Sequence, residues 1–191
     1  MPAYFVYGAL MAHPLVKKNG QTACIKDYAV EMRLINGAHI IEPSFAVLFK
    51  SEKNTAWGVA TNLTEKEWGK ISGHEESYSL NTLTATTAKG KGISIQALIS
   101  ENVYPHEVIP SARYAKMLYK SACYYSFPDN VKAKYLYFSK KGNKVTLCAP
   151  WYLPTCKKLI PYFGVKKAIR IVIGMHIIIL AFSIASAIHF L

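Results

Sequence analysis

Few side chains in this chain are capable of acid–base, thiol or metal chemistry, and their spacing narrows what they can do. Glu75 and Glu76 are adjacent acids preceded by His74, at the end of a short predicted helix. Taken alone, such a pair reads as two solvated carboxylates with a surface histidine beside them. The cysteines are Cys24, Cys123, Cys148 and Cys156; none forms a C-x-x-C pair and none has a histidine at ligand spacing. A chain of this size folds without staples, so the thiols read as free in a reducing compartment, and no metal or cofactor is expected. His176 stands about a turn and a half into a long apolar run. A histidine there can be a proton or cofactor ligand, or can satisfy itself on a backbone or polar partner of a neighbouring helix.

The charge around these groups is uneven. Residues 1–130 carry 13 basic and 11 acidic side chains, whereas residues 131–191 carry ten basic and no acidic ones. A near-neutral domain is therefore followed by a basic segment, which suits either nucleic acid or an anionic membrane. Lys157, Lys158, Lys166, Lys167 and Arg170 lead directly into the apolar run, which favours lipid. No RNP-like motif, zinc-finger spacing or glycine–arginine repeat supports nucleic acid.

From Ile171 to Leu191 the sequence reads IVIGMHIIILAFSIASAIHFL, 21 residues without Lys, Arg, Asp, Glu or Pro. As a helix it would be about 32 Å long, matching a hydrocarbon core of about 30 Å. A helix apolar on every side needs more protein around it than this chain can supply. Ser183, Ala185, Ser186 and Ala187 would allow close helix contact. The basic flank predicts a single C-terminal anchor, with the preceding domain on the cytoplasmic or matrix-like side of an unspecified membrane. No secretory signal is seen at the N-terminus, where Met1 to Gly8 reads as a first strand. The Asn62-Leu63-Thr64 sequon reads as accidental.

The elements that must position any site follow from periodicity and punctuation. Tyr4–Tyr7 predicts a strand ended by Gly8, and Tyr28–Ile35 a second. Phe45–Phe49 and Trp57–Leu63 are two more apolar runs separated by turn residues. Thr64-Glu65-Lys66-Glu67 is a capping box that should open a short helix ending near Gly73. Tyr78–Thr86 and Ile93–Ser100 predict a hairpin. Ser111, after Pro110, should cap a helix to about Tyr124, and Pro128-Asp129 should open another toward Phe138. The order predicts an α+β domain at residues 1–140 whose strands close into a small mixed barrel with flanking helices. A basic, aromatic linker at 141–168 and a transmembrane helix at 169–191 complete the expected organisation.

Four features, in order over roughly residues 3–138, resemble the γ-glutamylcyclotransferase superfamily, its AIG2-like branch included. They are Tyr4-Phe5-Val6-Tyr7-Gly8-Ala9-Leu10; Ala56-Trp57-Gly58-Val59; Ile71-Ser72-Gly73-His74-Glu75-Glu76-Ser77-Tyr78; and Pro110-Ser111 with Tyr114, followed by Ala122, Pro128 and a second helix. The resemblance implies that a γ-glutamyl amine or peptide cyclises to 5-oxoproline and expels its amine. The substrate's own α-amine would attack its γ-carbonyl, and one carboxylate would carry the proton to the leaving nitrogen. It also implies Glu75 as that catalytic base, Tyr7, Gly8, Ala9 and Leu10 as a backbone cradle for the substrate carboxylate, and Tyr114 as a pocket wall. Ala9 and Ser72 depart from the family's usual hydroxyl and acidic residues, and Leu10 follows the AIG2-like form. A membrane-tethered enzyme is one expectation. A catalytically degenerate accessory subunit of a membrane complex, held by lipid and by other subunits, is the other.

Overall fold

A computed structural model describes residues 2–34, 42–72, 78–101 and 103–142, together with Ile171 and Gly174. The chain divides into two units, Met1–Val145 and Thr146–Leu191. The fold below belongs to the first. Glu75, His74, His176, the linker beyond Gly142 and the rest of the apolar segment lie outside the described residues. Among the described residues no helix is long and apolar enough to cross a membrane.

Five strands form a closed barrel. They are β1 (Ala3–Val6), β2 (Gly20–Leu34), β3 (Phe45–Asn62), β4 (Ser79–Thr87) and β5 (Gly92–Ile99), in the order β1-β3-β2-β4-β5. All neighbours are antiparallel except β1 and β5, which close the barrel in parallel through Tyr4↔Gln96 and Phe5↔Ala97. Small residues at Gly58, Ala60 and Ala97 leave room inside so narrow a ring. A Cβ at Gly58 would come within 2.4 Å of the Phe5 ring, so this glycine is the floor on which Phe5 lies.

Two of the expected apolar runs are one strand. The β2–β3 register passes from Lys26↔Thr55 directly to Tyr28↔Lys50, so residues 51–54 bow outward while pairing continues on both sides. Asp27 (φ 58°) and Lys53 (φ 64°) take left-handed conformations there, and the Lys53 N–H donates to Asp27 Oδ1 at 3.1 Å. The charged residues that mark a turn in sequence make a bulge in space. Strand β2 likewise begins at Gly20, eight residues before the alternation that announces it.

Helices flank the ring. A 3₁₀ turn (Gly8–Ala12) and helix α1 (Pro14–Asn19) join β1 to β2, and no apolar periodicity announced either one. The His13 imidazole caps α1 by accepting from the Leu15 N–H, with Pro14 at the first helical position. Helix α2 (Glu65–Ser72) starts at the expected capping box: the Glu67 N–H donates to Thr64 Oγ1 at 3.2 Å, and the Thr64 N–H to Glu67 Oε2 at 2.9 Å. Its Trp68 stacks on Tyr4 of β1, with ring centroids 4.1 Å apart. Helices α3 (Ala112–Tyr124) and α4 (Asp129–Lys141) pack together, burying Leu118, Ala122, Tyr135 and Phe138.

Candidate functional site

The end of β1 is where predicted site residues meet. Tyr7 continues the strand in extended conformation, and Gly8 then turns the chain at φ +69° into the 3₁₀ turn. The first N–H groups of any helical turn lack partners within it. Here the residue preceding that turn, Tyr7, makes no side-chain cap. Instead its hydroxyl donates to the Leu98 carbonyl of β5, which ties the base of the loop across the barrel closure.

Two further elements approach the loop at Ala46, near the start of β3. A Cβ added to Gly8 would lie 3.1 Å from Ala46 Cβ and 3.1 Å from the Tyr114 hydroxyl. The Ala46 N–H donates to Tyr114 Oη at 3.3 Å, and the Ala46 carbonyl accepts from Tyr78 Oη at 2.8 Å. Phe45 meets the Tyr114 ring edge-on at 5.5 Å. Gly8 and Tyr114 thus lie together around Ala46, an alanine that sequence reasoning did not single out, while the Tyr7 side chain reaches across to Leu98. Ala9 is exposed and Leu10 half-buried, on the outer lip of the same turn. Glu75, the implied base, lies outside the described residues; Tyr78, three positions further on, contributes its hydroxyl to the Ala46 carbonyl.

Behind Tyr114 is a buried acid that the sequence reading also missed. Glu42, 2% exposed, accepts from the Ser111 N–H and from Ser111 Oγ, both at 2.6 Å, and lies 3.6 Å from Arg113. Ser111 Oγ in turn accepts from the Tyr114 N–H at 3.1 Å, capping α3. Burial pushes the Glu42 carboxyl above the ordinary glutamate range, while the Ser111 bonds and the Arg113 charge oppose that shift. Glu42 thus fixes the first turn of the helix that presents Tyr114. The signal for it was an acid enclosed between Ile40-Ile41 and Pro43. A separate cavity of about 170 Å³ between β2, β3 and α4 is lined in part by Glu31, Asn54, Trp57, Asn130, Lys134 and Tyr135, and includes none of the cradle residues.

Solved structures share this fold. A gamma-glutamyl cyclotransferase matches at TM-score 0.59 and 17% identity, covering 76% of this chain and 90% of its own. An uncharacterized protein from Homo sapiens matches at TM-score 0.58 and 17% identity, over 76% and 89% of the two chains. YkqA from Bacillus subtilis matches at TM-score 0.60 and 17% identity, over 75% of this chain and 55% of its own. No protein-family model and no curated protein sequence matches the chain. The fold is γ-glutamylcyclotransferase-like: a five-stranded barrel with flanking helices, its N-terminal strand ending in a glycine turn.

Proposed function

We propose that this chain is a membrane-tethered γ-glutamylcyclotransferase-like enzyme that converts a γ-glutamyl amine or peptide to 5-oxoproline and the free amine. The observation that carries this reading is the convergence of the Gly8 turn, Ala46, Tyr78 and Tyr114 at one end of a barrel of that fold. In the reaction, the substrate α-amine forms a C–N bond to its own γ-carbonyl, and the bond to the departing amine breaks. No electrons are transferred, so one proton carrier suffices. Glu75 takes the proton from the attacking amine and delivers it to the leaving nitrogen. Three residues of chain span at most about 10 Å, so the position of Tyr78 is compatible with a carboxylate at position 75 serving the cradle. Backbone N–H groups of Gly8, Ala9 and Leu10 hold the substrate carboxylate, a role that needs no hydroxyl at position 9. The apolar segment at 169–191 anchors the protein, leaving the barrel on the side of the basic flank.

The test is 5-oxoproline release by the full chain from a panel of γ-glutamyl amines and peptides. Glu75→Gln should lower turnover by about 10²–10⁴-fold, the usual worth of a positioned general base. Absence of turnover across the panel, together with loss of a partner complex on deleting the apolar segment, would replace the enzyme with the accessory-subunit reading. Alkaline carbonate should leave the full chain with the membrane and release a chain ending before Lys166.

A further inference from the structure

We propose that the exposed face of α3, extended by α1, is a docking surface for the headgroups of an anionic membrane. The proposal deepens the membrane-tethered reading and rests on it for the identity of the partner.

Helix α3 has an apolar face that packs on the barrel and on α4, and an outward face of one chemical kind. Arg113, Lys116, Lys120 and Tyr124 are all exposed. At 100° per residue they fall within an arc of about 80°, along about 16 Å of helix. The ridge continues into α1. Lys17 Nζ lies 5.4 Å from the centre of the Tyr124 ring, and the Tyr124 hydroxyl donates to the Lys17 carbonyl at 3.4 Å. Lys18 follows in the same helix, so that its last turn carries two lysines.

Neither α1 nor α3 contains an Asp or Glu. Arg113 is partly compensated by Glu42, and Lys18 lies within electrostatic reach of Glu67. None of Lys17, Lys18, Lys116 and Lys120 forms an ion pair among the described residues. By contrast, Lys132 and Lys134 of α4 are each paired, with Asp129 and Glu107. Other described lysines are without an ion pair as well, but those of the ridge lie side by side on two touching helices that hold no acid. Tyr124, at 59% exposure, adds an amphipathic ring of the kind that settles at a headgroup layer.

The path of the chain points to lipid as the occupant. A Cβ at Gly142 would lie 2.4 Å from the Pro110 carbonyl oxygen and 2.6 Å from the Ala112 nitrogen. The described domain thus ends against the first turn of α3. The 49 residues that follow contain six basic side chains, no acid, and the apolar run. Charges on a domain tethered to a bilayer act at high local concentration, and each basic residue near an anionic surface contributes roughly fivefold in affinity.

The experiment uses the full chain with Cys24, Cys148 and Cys156 changed to Ser, so that a fluorophore on exposed Cys123 reports the ridge. Vesicles of phosphatidylcholine, with or without phosphatidylserine, carry a headgroup-attached quencher. Quenching should be strong only with phosphatidylserine and should fall with added salt. Lys116→Glu/Lys120→Glu, both at exposed positions, should reduce the docked-to-undocked ratio by at least about 25-fold, with circular dichroism unchanged. If the anchor reading alone fails, the chain will not float with neutral vesicles, yet anionic vesicles will still quench the label and the double variant will still lose that quenching. Equal quenching on both vesicle types, or no loss in the double variant, overturns the proposal. So does a variant that loses affinity for single-stranded RNA while keeping its vesicle quenching, which would make the ridge a nucleic-acid surface.

Discussion

Replacing Gly8 by alanine tests the turn after β1 at its tightest point, and the same fold supplies the control. Gly8 and Gly90 have nearly equal left-handed φ values, +69° and +77°. Their surroundings differ completely: a Cβ at Gly90 meets nothing within 4 Å, whereas one at Gly8 meets Ala46 Cβ and the Tyr114 hydroxyl, each at 3.1 Å. Gly90→Ala should therefore show only the conformational cost, about 1–2 kcal/mol. Gly8→Ala should add an overpacking cost of about 1–3 kcal/mol, because buried Ala46 belongs to a paired strand and cannot swing aside. Urea unfolding followed by far-ultraviolet circular dichroism measures both. Tyr114→Phe in the Gly8→Ala background should recover part of the excess by removing one of the two close atoms. Equal costs for the two glycine substitutions, within about 0.5 kcal/mol, would falsify the close approach of the loop to Ala46 and Tyr114.

The buried acid should be coupled to its cap. Glu42→Ala and Ser111→Ala are each expected to destabilise by about 1–3 kcal/mol, and a double-mutant cycle should show a coupling of about 0.5–3 kcal/mol. Additive costs would mean that the two groups act independently. The pH dependence of Glu42 has a definite sign: its folded pKa is raised, so the stability of the wild type relative to Glu42→Gln should fall as pH climbs from the ordinary glutamate range through the raised value. Glu67 should behave oppositely. Its carboxyl is held low, first by the Thr64 N–H and then by the Thr64 hydroxyl, so its contribution is present above the ordinary pKa and lost as pH falls through the lowered one. Thermal unfolding of Thr64→Ala across that acidic range should show a flatter pH profile than the wild type.

Local signals made much of this barrel legible. The capping box at Thr64–Glu67, the Ser111 cap and the Pro128-Asp129 start are side-chain chemistry acting within a few residues, and all three helices begin where they imply. The β4–β5 hairpin was equally plain from its alternation. What the sequence concealed was decided at long range. Residues 51–54 look like a turn because they are polar or charged, yet pairing with β2 on both sides makes them a bulge. The segment 8–19 carries only short helical turns, held by His13 and by packing rather than by periodicity. Among the candidate site residues, Gly8 and Tyr114 stood out by type and surroundings, whereas Ala46 contributes mainly backbone groups, and a residue valued for its main chain leaves no mark in composition. Glu42 was hidden because an isolated acid ordinarily belongs to solvent, and only its position behind α3 gives it Ser111 as a partner.

The parallel closure of the barrel has a consequence for synthesis. Strand β1 leaves the ribosome first, but its neighbours arrive in an awkward order: β3 pairs with it through residues 59–62, and β5 through Gln96 and Ala97. The bond from Tyr7 to Leu98 spans 91 positions. At about 5–20 residues per second, the nascent strand Ala3–Val6 waits roughly 5–20 s for its second partner. Throughout that interval one edge of an apolar strand is bare, the state in which chains pair with the wrong neighbour. A nascent-chain-binding chaperone acting before residue 98 emerges would guard the most vulnerable stage of this protein's life.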